Sequence, residues 1–156
     1  MYSMSTDRLQ FKTTEIKKLN FNDAKTRAFI LDYLIHRLPV SSKLGVLHNE
    51  QITMFNIMMA WQDNLYYLPA FQTIIVGRQQ EQVFHLIDVI SKQHLDLSEV
   101  VAHLNMAGAE TIQFYFTPSF LKEMDATPIQ ESLFFVKMQC NTPFPAHYYF
   151  PEIAKA

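Results

Sequence analysis

The segment Val83–Pro118, VFHLIDVISKQHLDLSEVVAHLNMAGAETIQFYFTP, decides the predicted fold of this chain. It opens with a strand-like apolar run, Val83–Ser91, and passes through a short polar loop into an amphipathic helix, Leu97–Ala107. A second strand-like run, Thr111–Phe116, closes it. Two strands joined by a helix form a βαβ unit, in which the strands normally lie parallel and the crossover is right-handed. The sequence therefore predicts a parallel strand pair.

The helix of this unit carries its own start and stop signals. Asp96 precedes Glu99 by three residues, the spacing of a capping box with Asp in place of Ser or Thr. Gly108 is expected to end the helix, because glycine adopts a positive φ without strain. The helix and the strand after it each have one apolar face, formed by Leu97, Val100, Val101 and Leu104 in the helix and by Ile112, Phe114 and Phe116 in the strand.

A second helix is predicted nearer the N-terminus, at Asn22–Leu38, with Asn22 as N-cap and Pro39 as the stop. The segment Asp7–Leu19 is compatible with either a strand or a short helix. Short apolar runs after Pro39 are typical of strands. They are Lys43–His48, Gln51–Ala60, Thr73–Gly77 and Ser132–Met138. Because Pro69 interrupts the next run, Leu65–Leu68 and Phe71–Val76 are expected to form one bent or bulged edge-like strand.

These elements predict one domain, residues 1–156, of α/β (α+β) class with a mixed, mostly antiparallel sheet, one βαβ crossover and the N-terminal helix packed on the sheet. A chain of 156 residues that is 49% hydrophobic can form one such core. No apolar run reaches the roughly 18 to 20 residues that cross a bilayer, and the first residues lack the apolar segment of a secretory signal. We therefore expect a cytoplasmic protein without membrane contact.

Composition also argues against several kinds of site. The three glycines lie more than thirty residues apart, whereas phosphate-binding loops need several within one turn. The net charge is −2 and the basic residues are scattered, so nucleic-acid binding is not expected. The six histidines lack the spacing of metal ligands, so no metal site is expected. The single Cys140 cannot form an internal disulfide, which fits a reducing compartment.

Asp88 is the most informative single residue, because a carboxylate inside an apolar strand is costly unless it meets a partner or water. It is either part of a site or a hydrogen-bonded structural residue. His85 lies on the opposite face of the strand if that strand is regular. Tyr115 lies near the end of the neighbouring predicted strand, Thr111–Phe116, and is expected beside the same strand ends as Asp88. These three residues are the catalytic candidates.

A cluster of apolar residues and an aromatic tail are candidates for contacts with other molecules. The cluster, Met54, Phe55, Met58, Met59 and Trp61, is interpreted mainly as core packing, with a hydrophobic ligand or partner as the alternative. The tail aromatics, Phe144, Tyr148, Tyr149 and Phe150, are expected to cover a sheet edge or form a subunit contact. A homodimer is the corresponding partner hypothesis.

Four segments, NLYYLPAFQTIIV, VFHLIDVIS, IQFYFTP and FPEIAKA, resemble the C-terminal half of the GNAT acyltransferase superfamily, over roughly residues 40–156. The resemblance implies acetyl-CoA as cofactor and an amine or other small molecule as acceptor. It implies that the backbone at Ile90 and Ser91 holds the thioester arm, that Lys92 and His94 lie beside the phosphates, and that Asp88 or His85 assists amine deprotonation.

The chain departs from the family at the phosphate loop. Residues 92–96, KQHLD, contain no glycine, and Asp96 and Glu99 place negative charge where a pyrophosphate needs positive potential. The family's tyrosine general acid has no clear match in SFLKEM, residues 119–124. The resemblance and these departures leave two alternative functions. The first is a divergent acyl-CoA-dependent N-acetyltransferase, and the second is a non-catalytic GNAT-like module for binding or dimerisation.

Overall fold

The computed structural model describes residues 2–41, 47–104, 108–119, 125–126 and 153 of the 156-residue chain. Its strands are β1 (Tyr2–Ser5), β2 (Lys17–Lys18), β3 (Leu65–Leu68), β4 (Thr73–Gln80), β5 (Val83–Ser91), β6 (Thr111–Phe114) and β7 (Asp125–Ala126). Its α-helices are α1 (Ala24–Ile35), α2 (Glu50–Asn56) and α3 (Leu97–Ala102). Short 3-10 turns occupy Thr6–Arg8 and Pro69–Phe71, and a π-helical turn, Ile57–Trp61, continues α2.

Among the described residues the strands form one mixed sheet in the order β2-β3-β4-β5-β6-β1-β7. The predicted βαβ unit is confirmed, because β5 and β6 pair in parallel from Val83 with Thr111 to Leu86 with Phe114, and α3 lies between them in the chain. The other described strand pairs are antiparallel. The expected α+β class with a mostly antiparallel sheet is thus correct. The expectation of one bent strand through Pro69 is wrong, because the turn Pro69–Phe71 reverses the chain and β3 pairs with β4. The pairing of β1 with β6 had no counterpart in the sequence analysis.

Each face of the sheet has its own apolar core. One core includes Phe84, Leu86 and Val89 of β5 and is covered by α3. The other includes Ile87 and Ile90 of β5 and the buried residues of α1, which are Ile30, Tyr33 and Leu34. The predicted packing of the N-terminal helix on the sheet is therefore confirmed, and α2 contacts α1 in the same layer.

The N-terminal helix is shorter than predicted. Its N-cap is Asp23 rather than Asn22, since the Asp23 carboxylate accepts a hydrogen bond from Thr26 N at 2.8 Å. Its last helical residue is Ile35, three residues before the predicted end. The next residues then turn back toward the sheet, and Leu38 forms an isolated antiparallel bridge with Ser91.

The predicted strand Gln51–Ala60 is wrong, because this segment is helical throughout. Its inward side carries Thr53 and Ile57, which are four residues apart and fully buried. The opposite side of this helical segment exposes apolar residues to solvent. The nearly continuous apolar run in the sequence is therefore not the sign of a strand buried on both faces. Only part of the cluster that was interpreted as core packing is in the core: Met54 and Trp61 pack against it, while Phe55, Met58 and Met59 are exposed.

Strand β5 contains a bulge that changes which face its residues occupy. The partners in β4 step from Val76 to Gly77, while those in β5 step from Asp88 to Leu86, so Ile87 is an extra residue. The alternation of side chains between the two faces of the sheet is therefore displaced by one residue. As a result Leu86 and Val89, which are three residues apart, lie in the same core. His85 and Asp88 were expected on opposite faces if the strand is regular. Because of the bulge their partners in β4 are Arg78 and Val76, two residues apart, so His85 and Asp88 lie on the same face.

Gly108 has the positive φ that its sequence position predicts, +87°, although the described α-helix already ends at Ala102. Most of the predicted strand Lys43–His48 lies outside the described residues, and its last two residues are not in a strand. Ser132–Met138, Cys140 and the tail aromatics also lie outside them. No helix in the described ranges is long and apolar enough to cross a membrane.

Candidate functional site

His85 and Tyr115 form a hydrogen-bonded pair beside the point where β5 and β6 separate. His85 Nδ1 lies 3.0 Å from Tyr115 Oη, and both residues are half-buried. The parallel register places His85 opposite Gln113, and the backbone N–H of Tyr115 donates to Leu86 O at 2.9 Å. Because Tyr115 packs against the core that α1 covers, the pair lies on the α1 side of the sheet. The structure thus brings together two of the three catalytic candidates.

The pKa of His85 is lowered from its ordinary value of 6.5, first because burial disfavours the charged imidazolium and second because the positive charge of Arg78 lies nearby. Arg78 is the residue opposite His85 in β4. The neutral imidazole is therefore the favoured form near neutral pH. In that form one ring nitrogen donates and the other accepts, so the pair can move a proton.

The lowered pKa of His85 gives a testable pH dependence of folding. As pH falls below about 6.5, the unfolded chain binds a proton at His85 more readily than the folded chain does, so acidification favours unfolding. We expect His85→Gln, which keeps a hydrogen-bonding group for Tyr115, to reduce the loss of unfolding free energy between about pH 7 and about pH 5. Urea denaturation at both pH values measures this difference. Equal losses in the two proteins would contradict the assignment.

Asp88 is buried in an ion pair with Arg37. Arg37 Nη1 donates to Asp88 Oδ2 and Nη2 donates to Oδ1, both at 3.0 Å, and the two side chains are 4% and 3% exposed. Asp88 Oδ1 also accepts from Val89 N at 2.9 Å. Of the two expectations for Asp88, the structure thus shows the hydrogen-bonded partner. A carboxylate held in this way is poorly placed to take a proton from a substrate amine.

The segment Arg37–Leu38 lies along the edge of β5 where β6 has separated from it. Leu38 N donates to Ser91 O at 2.8 Å, and Arg37 Nη2 reaches Val89 O at 3.5 Å. Ser91 pairs with Thr73 of β4 on its other side, so Leu38 must lie on the side that β6 occupies earlier along the strand. The same edge was expected to hold a thioester arm. In this structure the chain's own backbone is bonded there.

The backbone of Ile90 and the side chain of Ser91 are also engaged internally. Thr73 Oγ1 donates to Ile90 O at 2.9 Å, and the Ile90 side chain is fully buried. Ser91 Oγ donates to Gln93 O at 3.0 Å and accepts from Gln93 N at 3.1 Å. The carbonyl oxygen of Ile90 and the hydroxyl of Ser91 are therefore already hydrogen-bonded within the chain.

The loop between β5 and α3 carries two exposed basic residues, Lys92 and His94. The ammonium group of Lys92 forms an ion pair with Asp32 of α1 and lies 4.5 Å from the centre of the Tyr33 ring. Lys92 is thus directed toward α1. The resemblance implied that Lys92 lies beside phosphates at the start of α3. In the structure its ammonium group pairs with Asp32 of α1 instead.

The first turn of α3 is capped by its own side chains. Asp96 Oδ1 accepts from Ser98 N at 2.9 Å and from the Ser98 hydroxyl at 2.6 Å. The hydroxyl bond first, and the backbone bonds as well, lower the pKa of Asp96, so it is ionised at neutral pH. Glu99 does not complete the predicted capping box, because its carboxylate pairs with Lys12 at 2.7 Å.

Sequence reasoning missed Arg37, the partner of Asp88. Two signals could have found it. Arg37 lies three and four residues after Leu34 and Tyr33, so it shares their inward face if the helix continues. An inward cation near the end of one element and a lone carboxylate inside an apolar strand each need an opposite charge. Arg37 is therefore the expected partner of Asp88, and Asp88 of Arg37.

No group of three or more His, Cys, Asp or Glu side chains with the geometry of a metal site occurs among the described residues. Comparison of the chain with models of known protein families, with curated proteins and with solved structures gave no match.

Proposed function

We propose that this chain is a divergent GNAT-like domain that acts as a non-catalytic module for binding or dimerisation. The arrangement that supports the GNAT-like assignment is a parallel strand pair, β5 and β6, joined through α3 and continued by antiparallel strands. The observation that carries the loss of catalysis is the hydrogen bond from Leu38 N to Ser91 O. It occupies the strand edge that an acyl-CoA thioester arm would use.

Charge at the start of α3 supports the same conclusion. A pyrophosphate at a helix N-terminus is stabilised by unpaired N–H groups and positive potential. Here the Asp96 carboxylate already accepts from Ser98 N, and its negative charge would repel the phosphates. Lys92, the nearest basic residue in the loop, pairs with Asp32 instead.

Isothermal titration calorimetry of the full chain with acetyl-CoA tests the proposal. We expect no heat of binding up to millimolar ligand, because binding would have to break the Leu38–Ser91 bond and bring phosphates beside Asp96. Asp96→Asn is the matched variant: it keeps a capping side chain but removes the charge. Binding of acetyl-CoA to the wild-type chain with micromolar affinity would overturn the proposal.

The second candidate is an acyl-CoA-dependent N-acetyltransferase, favoured by the His85–Tyr115 pair. With Nδ1–H donating to Tyr115 Oη, the second ring nitrogen of His85 can accept the proton that the acceptor amine loses. The amine nitrogen then bonds to the acyl carbon, and the carbon–sulfur bond breaks to release the thiolate. Thiol release that requires both acetyl-CoA and an amine, and that His85→Gln abolishes, would favour this candidate over the module.

A further inference from the structure

A row of polar side chains crosses the sheet on its α1 side. Arg78 of β4 pairs with His85 of β5, His85 pairs with Gln113 of β6, and Gln113 pairs with Ser3 of β1. Directly paired residues project from the same face of a sheet, so these four side chains, here named the polar row, lie side by side. Arg78 is exposed and the other three are half-buried. The polar row is therefore open to solvent.

The guanidinium group of Arg78 is held by an aromatic ring rather than by a carboxylate. It lies 5.5 Å from the centre of the Trp61 ring. Trp61 is the last residue of the π-helical turn and packs against the core that α1 covers. No carboxylate of the described residues forms an ion pair with Arg78. Stacking on Trp61 orients the guanidinium while its N–H groups keep their capacity to bind a planar anion.

His85 and Gln113 add hydrogen-bond donors beside Arg78. When the Tyr115 hydroxyl donates to His85 Nδ1, the ring proton lies on Nε2, which can then donate to a ligand. The side-chain amide of Gln113 carries two further N–H groups. The polar row thus offers N–H donors from three neighbouring strands, β4, β5 and β6.

The charge near the polar row determines which anion it fits. Arg78 contributes one positive charge, and the lowered pKa of His85 keeps the imidazole neutral near pH 7. Asp88, on the same face of β5, is neutralised in its buried ion pair. Asp125 of β7 lies four strands from Arg78, about 19 Å away at the usual strand spacing. One positive charge with neutral donors matches a carboxylate, whereas a phosphate monoester carries about −1.5 to −2.

We propose that the polar row is a binding site for a small carboxylate, which the guanidinium of Arg78 holds while His85 and Gln113 donate from the neighbouring strands. The inference rests on the proposed function, because it names the ligand of a binding module. A failure to bind carboxylates would overturn this inference alone. Binding of acetyl-CoA that Arg78→Gln leaves intact would overturn the loss of catalysis alone.

Titration of the full chain with benzoate, followed by the NMR signals of the His85 ring near neutral pH, tests the proposal. The variant His85→Gln assigns those signals. Benzamide is the matched ligand, because it has nearly the same shape without the charge. We expect benzoate to shift the His85 signals until they saturate and benzamide to leave them unchanged. Arg78→Gln should weaken benzoate binding at least about tenfold, because hydrogen bonds to a charged group are lost.

Two further variants separate the polar row from positive charge in general. Lys12→Gln removes an exposed positive charge that pairs with Glu99 of α3, on the other side of the sheet, and should bind benzoate as the wild-type chain does. Arg78→Lys keeps the charge without the planar fork and should retain part of the affinity. Circular dichroism checks that each variant is folded.

Three results would overturn the proposal. One is that the His85 signals of the wild-type chain stay unchanged up to the solubility of benzoate. Another is that Arg78→Gln binds benzoate as tightly as the wild-type chain. The third is that inorganic phosphate binds more tightly than benzoate at the same residues, since the ligand would then belong to another chemical class.

Discussion

Arg37→Met is expected to lower the free energy of unfolding by about 3–5 kcal/mol, because it leaves the Asp88 carboxylate buried without its partner. Both carboxylate oxygens accept from the Arg37 guanidinium at 3.0 Å, and the two side chains are almost completely buried. Methionine replaces much of the arginine's length without its charge. Urea denaturation at neutral pH measures the change.

Two controls separate the buried charge from other effects of the substitution. Lys12→Met breaks the exposed Lys12–Glu99 pair and should cost at most about 1 kcal/mol. The double variant Arg37→Met with Asp88→Leu should recover most of the lost stability, because it removes both charges together. Arg37 Nε is buried without a hydrogen-bond partner in the described part of the chain, so the native pair is itself incompletely satisfied. If the double variant were as unstable as Arg37→Met, the explanation by an unpaired charge would be wrong.

Phe84→Ala is expected to cost about 3–5 kcal/mol, because it removes a fully buried aromatic ring and leaves a cavity between the sheet and α3. The ring also covers Gly77 of β4: a Cβ added at Gly77 would lie 2.7 Å from Phe84 Cζ. The same Cβ would lie 2.7 Å from His85 O, so no larger residue at Gly77 can fill the space without moving the backbone.

Phe11→Ala is the matched control for Phe84→Ala, since it makes the same chemical change at a residue that is 37% exposed. We expect less than half the loss seen at Phe84, because most of the deleted surface was not fully buried. Thermal unfolding followed by circular dichroism measures both variants. Equal losses would show that the core facing α3 is less tightly packed than the structure indicates.

The βαβ unit was predictable because its signals are local. A helix with an apolar stripe, a capping Asp96 and alternation in the strand after it each depend on a few neighbouring residues. The helix at residues 51–60 was not predictable in this way, because the apolar residues of the segment are nearly continuous and the outward ones do not enter the core. A long apolar run fits a strand and a helix equally well by periodicity. Its methionines, which are good helix formers, were the signal that favoured the helix.

The candidate site was predictable only in part. The sequence drew attention to His85, Asp88 and Tyr115, and two of them form a pair. Arg37 reaches Asp88 across 51 residues of sequence, and the bulge at Ile87 changes which face Asp88 occupies. The first depends on how α1 and the residues after it pack against the sheet, and the second on how β4 and β5 pair. One unaligned sequence does not contain that information in a local pattern.

The short strand β2 limits how this sheet can grow. It consists of Lys17 and Lys18 alone, both exposed, at the end of the described sheet next to β3. Adding another chain's strand there would bring lysine side chains of two molecules together and offer few backbone bonds in return. Fibril-like stacking from this end of the sheet is therefore discouraged.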